Sequence, residues 1–413
     1  MPRPELVPRR PWQGRRILLG VTGGIAAYKS IQLARDLTRL GAEVDVVLTA
    51  AAQKFVAPLS FEGVTGRPVL TDLFSVDGAA MHLRLGKDAD AICVAPATAD
   101  FVARAAEGRA DDLLCTALLA THAPVVVCPA MNDRMFAHPQ VQENVERLRQ
   151  RPGYVIAGPG VGALAAGEEG GPGRMLEPQD ITEYIGRALG AEDAYRERRV
   201  LVTAGPTREA LDPVRYVGNR SSGRMGYAVA AAAWRRGASV TLVSGPSSLE
   251  PPVGVDLVRV QSADEMFAAV ADAIGAADVS VFAAAVADFR PTTTESDKVK
   301  REAVGDEFAV LLAPNPDIAG ETRDRRKAGS VTVGFALETT DLLENARKKL
   351  AKKDFDLLVA NDVTQEGAGF DVETNRVTIL DKQGEPESLP LMSKDAVAEE
   401  ILDRVASRLS ARR

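Results

Sequence analysis

Short apolar runs that end in glycine, proline or a hydroxyl residue alternate with helix-patterned stretches along this chain, and the alternation starts twice. RILLGVTG (16–23) is followed by Ile31, Ala34, Leu37 and Leu40 at helical spacing, until Gly41 stops the helix and AEVDVVLTA begins a second strand. ADAICVAPA, PVVVCPA and YVIAGPG supply three further strands. After the polar stretch DITEYIGRALGAEDAYRERR, RVLVTAGPT restarts the pattern, and SVTLVSG, VSVFAAAVAD, SVTVGFALE and FDLLVAND continue it. NRVTILD and the amphipathic SKDAVAEEILDRVASRL close the chain. Strands spaced by helices of this length predict parallel sheets covered on both faces, an α/β chain of two Rossmann-like, doubly wound domains. The boundary falls near residue 195. We expect a disordered leader over 1–14, a first domain over 15–190 and a second over 191–413.

A length of 413 residues exceeds one ordinary core, since domains average about 150. No apolar run reaches the roughly 18 residues of a membrane span, and MPRPELVPRRPWQG lacks the apolar core of a signal peptide. A formal charge of −7 disfavours nucleic acid as partner. The three cysteines, Cys93, Cys115 and Cys128, sit in apolar contexts with no CxxC, which predicts buried thiols in a reducing cytoplasm. His82, His122 and His138 are the whole supply of imidazole.

In the first half, Thr22-Gly23-Gly24-Ile25, Thr49, Pro96-Ala97-Thr98 and Pro129-Ala130-Met131-Asn132 stand at successive strand ends, where open α/β sheets bind ligands. Glycines at the first turn let backbone approach a phosphate, and a helix N-terminus favours its charge. The dinucleotide fingerprint GxGxxG is absent, and hydroxyls on several strand ends suit one phosphate better than a pyrophosphate.

GVTGGIAAYKS, HLRLGKDAD, APATADFVARAAEGRADDLL, PAMNDRM and GGPGRM, in that order over residues 16 to about 187, resemble the flavin-dependent cysteine decarboxylases. They are most similar to the phosphopantothenoylcysteine decarboxylase half of the bifunctional coenzyme A biosynthesis family. The resemblance implies FMN near Gly23, Gly24, Ile25, Thr49 and Thr98, with His82 as base. It also implies that Asn132, with Ala130 and Met131, holds the substrate carboxylate. Such chemistry needs a base that titrates near neutrality, which imidazole provides. His122 and His138 lack such context. The family usually carries a lid cysteine that protonates the enethiolate intermediate. The stretch LAAGEEGGPGRM (164–175) has none, its slot falling on Ala166 or Gly167, so solvent, Glu168, Glu169 or another group remain as donors.

In the second half, TAGPTREALDPVRYVGNRSSGRMG (203–226) resembles the phosphopantothenate–cysteine ligase signature, and AAAVADFRP, DKVKRE, NPDI and GFALET follow in family order. Ser221, Ser222 and Gly223 precede a helix expected near Gly226, which makes an anion site. The resemblance places Phe282, Ala283, Ala284, Asp288 and Lys298 at a nucleotide. It puts Asn315, Pro316, Asp317, Ile318 and Phe335 at its base, and Lys349 and Lys353 nearby. It assigns Asn219 and Arg215 to the acyl-nucleotide and phosphopantothenate. Carboxylate attack on an α-phosphate gathers negative charge that lysines and Mg2+ (or Mn2+) neutralise. Lys298, Lys300 and Arg301 supply cations, as do Lys348, Lys349, Lys352 and Lys353 on their helix, whereas RDRRK (323–327) reads as a solvated turn.

The GxxxxGK[ST] loop of Walker-type enzymes is absent, and the residues alone do not separate CTP from ATP; CTP is what the resemblance implies. It further implies phosphopantothenate and cysteine as substrates and a homo-oligomer with a trimeric flavin half and a dimeric ligase half. A flavin-binding regulatory protein with an inactive first half is the competing reading.

Overall fold

The computed structural model describes residues 6–74, 80–162, 170–192, 194–300, 308–338, 342–362, 372–382 and 384–412. The chain forms two compact units, Met1–Gly190 and Ala191–Arg413.

In the first unit, β1 (Arg16–Val21), β2 (Glu43–Leu48), β3 (Val69–Leu70), β4 (Ala91–Ala97), β5 (Val125–Pro129) and β6 (Tyr154–Ile156) form one sheet. Its order is β3-β2-β1-β4-β5-β6, and every pairing is parallel. Every residue of β4 and β5 is buried, because helices cover both faces. The side chains of β1 divide accordingly: Ile17, Leu19 and Val21 enter one core, Leu18 the other. Two-residue β3 is too short to leave a periodic signal, so it escapes the sequence reading. Cys93, Cys115 and Cys128 are all buried and free, as their apolar contexts predict.

The expected disordered leader needs correcting. Residues 1–5 lie outside the described residues, but 6–14 are folded onto the first unit. Trp12 is fully buried, its indole N–H donates to the carbonyl of Thr182 at 3.2 Å, and the Arg9 guanidinium lies 5.1 Å from its ring centroid. A single large aromatic outweighs the Pro- and Arg-rich background because it buries more apolar surface than any of its neighbours.

The second unit repeats the plan with an extension. Its strands are β7 (Arg199–Ala204), β8 (Ser239–Ser244), β9 (Val255–Arg259), β10 (Val279–Phe282), β11 (Val331–Glu338), β12 (Leu357–Asp362), β13 (Val377–Asp381) and β14 (Glu387–Ser388). They run in the order β9-β8-β7-β10-β11-β12-β13-β14, parallel as far as β12 and antiparallel at the last two pairings. β9 alternates half-buried and exposed residues, so it escapes detection as an apolar run. The helix expected near Gly226 spans Arg224–Arg235. It packs against the helix Lys394–Ala411 through buried ion pairs: Arg235 with Asp395 and Glu399, and Arg236 with Glu399 and Asp403. Among the described residues no helix is long and apolar enough to cross a membrane.

Candidate active sites at the two switch points

In each sheet the strand order reverses beside the first strand of the unit, between β1 and β4 and between β7 and β10. The loops leaving those strands diverge there and open a crevice.

At the first switch point the Thr22 hydroxyl donates to the carbonyl of Pro96 at 2.7 Å and accepts from the Thr98 N–H at 3.1 Å, tying the two strand ends together. Thr98 caps the helix Ala99–Glu107. Gly23 is dictated by close approach, since a Cβ there would lie 2.4 Å from the Ala51 Cβ. Ile25 beside it is 67% exposed, an apolar side chain presented next to the glycines. Thr49 is buried and accepts from the N–H of Ala52. The Ala130 N–H donates to the carbonyl of Ala97 and the Met131 N–H to that of Gly173, so the PAMN loop is held from both sides. Asn132 caps the helix Asp133–Ala137 by accepting from the Arg134 N–H at 2.9 Å.

His82 is the second residue of the helix Met81–Asp88, which packs against the helix Leu113–Leu119. Its Nδ1 is buried without a hydrogen-bond partner, and no hydrogen bond among the described residues joins it to Thr98 or Asn132. His138, by contrast, spends its Nδ1 accepting from the Gln140 N–H to cap the helix Pro139–Arg149. Ala166, Gly167, Glu168 and Glu169, where the lid reading falls, lie outside the described residues. Asp111, Asp112 and Cys115 bring ligand atoms within 4.8 Å of one another. The Arg104 guanidinium already neutralises both carboxylates, at 3.1 and 2.6 Å, and burial first, then Asp112, pushes the thiol up to about 12. That trio is a structural ion pair.

The second switch point opens into a cavity of about 770 Å3. Asn219, Phe282, Ala283, Ala284, Asp288, Asn315, Pro316, Asp317, Ile318, Phe335, Lys349 and Lys353 all line it. The strand-end loops are laced to one another: the Ala284 N–H donates to the Thr203 hydroxyl, the Asn219 side-chain amide to the carbonyl of Val286, and that of Asn315 to the carbonyl of Ala287. Lys349 donates to the carbonyl of Phe335 and Lys353 to Asp317, each at 2.8 Å. Burial pushes the Asp317 carboxyl up. The hydrogen bond from Lys353, with the Gly320 N–H and the charge of Lys352, outweighs it and holds the group below its ordinary value. Gly223 has φ +79°, a left-handed conformation that glycine adopts without strain, and it turns the Ser221–Ser222 loop into the helix Arg224–Arg235.

Four sequence-predicted residues, Arg215, Lys298, Lys300 and Lys348, do not line the cavity. Arg215 is captured by Asp212, donating to it through Nε and through a second nitrogen at 2.9 and 2.6 Å, and it also reaches the carbonyl of Val299. Lys298 is exposed on the segment whose next residue, Val299, donates its N–H to Asp212. Arg301 lies outside the described residues. Of the other lysines, Lys348 pairs outward with Glu344, whereas Lys352 faces the cavity. The solvated reading of RDRRK is corrected at Arg326, which donates to the carbonyls of Ala319, Lys353 and Asp354 and lies 5.8 and 5.6 Å from the rings of Phe282 and Phe355. Asn361, Asn375 and Lys394 also line the cavity and were missed. Only Asn361 had a local signal, at the end of the strand FDLLVAND.

The family model described as DNA/pantothenate metabolism flavoprotein C-terminal domain matches residues 195–409, and that described as flavoprotein matches residues 7–190. The coenzyme A biosynthesis bifunctional protein CoaBC of Vibrio vulnificus (strain YJ016) is 48% identical over 95% of this chain and 97% of its own. This chain belongs to the bifunctional coenzyme A biosynthesis family. The CoaBC protein of Escherichia coli (strain K12) is 44% identical over 96% of this chain and 97% of its own. Among solved structures, the C-terminal domain of a CoaBC protein is 40% identical, covers 53% of this chain and all of its own, and superposes with a TM-score of 0.46. The two family models between them cover both units.

Proposed function

We propose that the two switch-point sites act in series within this bifunctional enzyme of coenzyme A biosynthesis. The second unit joins phosphopantothenate to cysteine at the expense of CTP, and the first decarboxylates the product to 4′-phosphopantetheine. The observation that carries the reading is the cavity of about 770 Å3 in which twelve residues singled out from sequence converge.

For ligation, the substrate carboxylate attacks the α-phosphorus, pyrophosphate departs, and the cysteine amine then displaces CMP from the acyl-cytidylate. Lys349, Lys352 and Lys353 bring positive charge to the wall where negative charge gathers. Asn219, anchored through its amide nitrogen, is left with a carboxamide oxygen to accept from the incoming amine. Asp288 lines the cavity without a cation partner among the described residues. It fits Mg2+ (or Mn2+), which keeps most of its waters and takes one or two carboxylates plus phosphate oxygens. Arg215 and Lys298, both off the cavity wall, enter no step.

For decarboxylation, Thr22, Gly23, Gly24, Thr49 and Thr98 would hold FMN, with Ile25 offering its ring an apolar surface. The unpartnered buried nitrogen of His82 suits a site that takes up a polar group. FMN when bound supplies a hydride acceptor. The chain's own contributions are His82, which removes the thiol proton, and Asn132, a neutral amide whose hold on the carboxylate relaxes as CO2 leaves. The three buried, unpaired thiols suit a reducing cytoplasm. We further propose a homo-oligomer built from trimers of the first unit and dimers of the second, which native mass spectrometry would count.

The test is a coupled assay with phosphopantothenate, cysteine and either CTP or ATP, with products resolved by mass. We expect phosphopantothenoylcysteine and then phosphopantetheine with CTP. Equal turnover with ATP refutes the nucleotide assignment, and accumulation of phosphopantothenoylcysteine refutes net decarboxylation.

A further inference from the structure

Arg326 lines neither the cavity of about 770 Å3 nor a smaller one of about 610 Å3 in the same unit, yet four of the residues it touches line the larger. Its guanidinium donates to the carbonyl of Ala319 at 2.7 Å and to those of Lys353 and Asp354, both at 3.1 Å. It lies 5.8 Å from the ring centroid of Phe282 and 5.6 Å from that of Phe355. All its hydrogen bonds among the described residues thus go to main-chain carbonyls, and its Nε is buried without a partner. Ala319 belongs to the wall segment 315–319. Lys353, Asp354 and Phe355 form the turn that ends the helix Leu342–Lys352, whose Lys349 and Lys352 line another part of the wall. In that turn Asp354 has φ +53°, its N–H donates to the carbonyl of Ala351, and the Phe355 N–H donates to that of Leu350. A left-handed residue with a side chain is costly, and here the Asp354 carbonyl is held by Arg326 and by the Thr332 hydroxyl at 3.3 Å.

We propose that Arg326 is a positioning residue that fixes the width of the base pocket and thereby makes the second unit select CTP over ATP. The proposal rests on the reading of the larger cavity as a CTP site. Two segments of its wall, 315–319 and 353–355, lie outside the main sheet, one around the single-turn helix Ile318–Glu321 and the other in a turn. Their separation is set by crosslinks. Lys353 and Asp317, which both line the cavity, supply one at 2.8 Å, and Arg326 supplies the other from behind the wall. A purine carries a second ring, and a wall excludes it only as far as that wall resists being pushed back. One planar guanidinium reaches Ala319, Lys353 and Asp354 together and lies near two wall rings. A lysine ammonium on its flexible stem keeps the charge and loses that fixed fork.

The experiment is calorimetric titration of the full chain, of Arg326→Lys and of Arg326→Gln with CTP and with ATP. Steady-state KM for phosphopantothenate and denaturant unfolding are measured beside it. We expect the preference of the wild type for CTP over ATP to shrink by at least about 10-fold in both variants, with KM for phosphopantothenate unchanged. Arg326→Lys, the milder change, decides the matter if Arg326→Gln does not fold. Equal losses of CTP and ATP affinity would overturn the proposal, as would lower stability with the preference intact, for Arg326 would then serve the fold alone. A preference fully kept by Arg326→Lys would overturn it too, since charge and not the fork would be what matters. A wild type that binds CTP and ATP equally would instead refute the CTP reading of the cavity and, with it, this role of Arg326.

Discussion

At the scale of single residues, the larger cavity of the second unit is organised by charges that hold one another in place. Asp317 lies low because Lys353, the Gly320 N–H and Lys352 together overcome the burial that would raise it. A carboxyl depressed in the folded state keeps its ion pair as pH falls through the ordinary carboxylate value of about 4, and loses it only below its own pKa. Nucleotide affinity should therefore stay level from pH 7 down to about pH 5 on this group's account. Lys353→Gln removes the largest of these supports, so the Asp317 carboxyl should rise and affinity should drop by about 10-fold. Calorimetry across that range checks both, and a wild-type affinity that fell steeply between pH 7 and pH 5 would refute the argument. The lysines also show what spacing alone leaves open. Lys348 and Lys352 lie on one helix, yet one is tied to Glu344 in solvent and the other faces the cavity.

At the scale of elements, the helix Arg224–Arg235 carries both a wall of the larger cavity and a buried ionic clasp. Glu399 on the helix Lys394–Ala411 accepts from Arg235 at 3.0 Å and from the Arg236 Nε at 2.9 Å, and all three side chains are under 10% exposed. Removing Glu399 takes from each buried guanidinium one of its carboxylates and leaves Arg235 with Asp395 and Arg236 with Asp403, so the cost is up to about 3 kcal/mol, the low end for breaking a buried pair. Glu399→Ala should lower the unfolding free energy of the second unit by about that amount in denaturant titration, while leaving the first unit's transition in place. A loss below about 1 kcal/mol would mean that water replaces the carboxylate without penalty.

At the scale of the whole molecule, two similar sheets run different chemistry because the loops leaving their strand ends differ. The architecture is shared, and the sites are local. His82→Asn should therefore abolish flavin reduction by phosphopantothenoylcysteine while leaving FMN bound and ligation unchanged. Single-turnover flavin absorbance together with pyrophosphate release checks it. Undiminished flavin reduction would remove His82 from the chemistry, and a joint loss of both activities would mean that the sites are not separable.

The sequence by itself determined the alternation, hence the doubly wound sheets, because strands buried on both faces must be continuously apolar, and runs such as AICVAPA and VVVCP are visible without any partner. It also determined most of the wall of the second unit's larger cavity, since Asn219, Ala283, Asp288 and the NPDI run are contiguous motifs that a strand end delivers whole. Tertiary structure alone decided the rest. Trp12 is buried only because Thr182, 170 residues away, offers its carbonyl and the surrounding surface. Arg215 is withdrawn from the cavity by Asp212, and Arg326 is drawn into the fold by carbonyls of Ala319, Lys353 and Asp354. Asn361, Asn375 and Lys394 reach one cavity from separate elements. Apolar periodicity is written along the chain. Which charge meets which is settled only when distant segments pack, because a salt bridge depends on a separation of a few ångströms that sequence spacing does not encode.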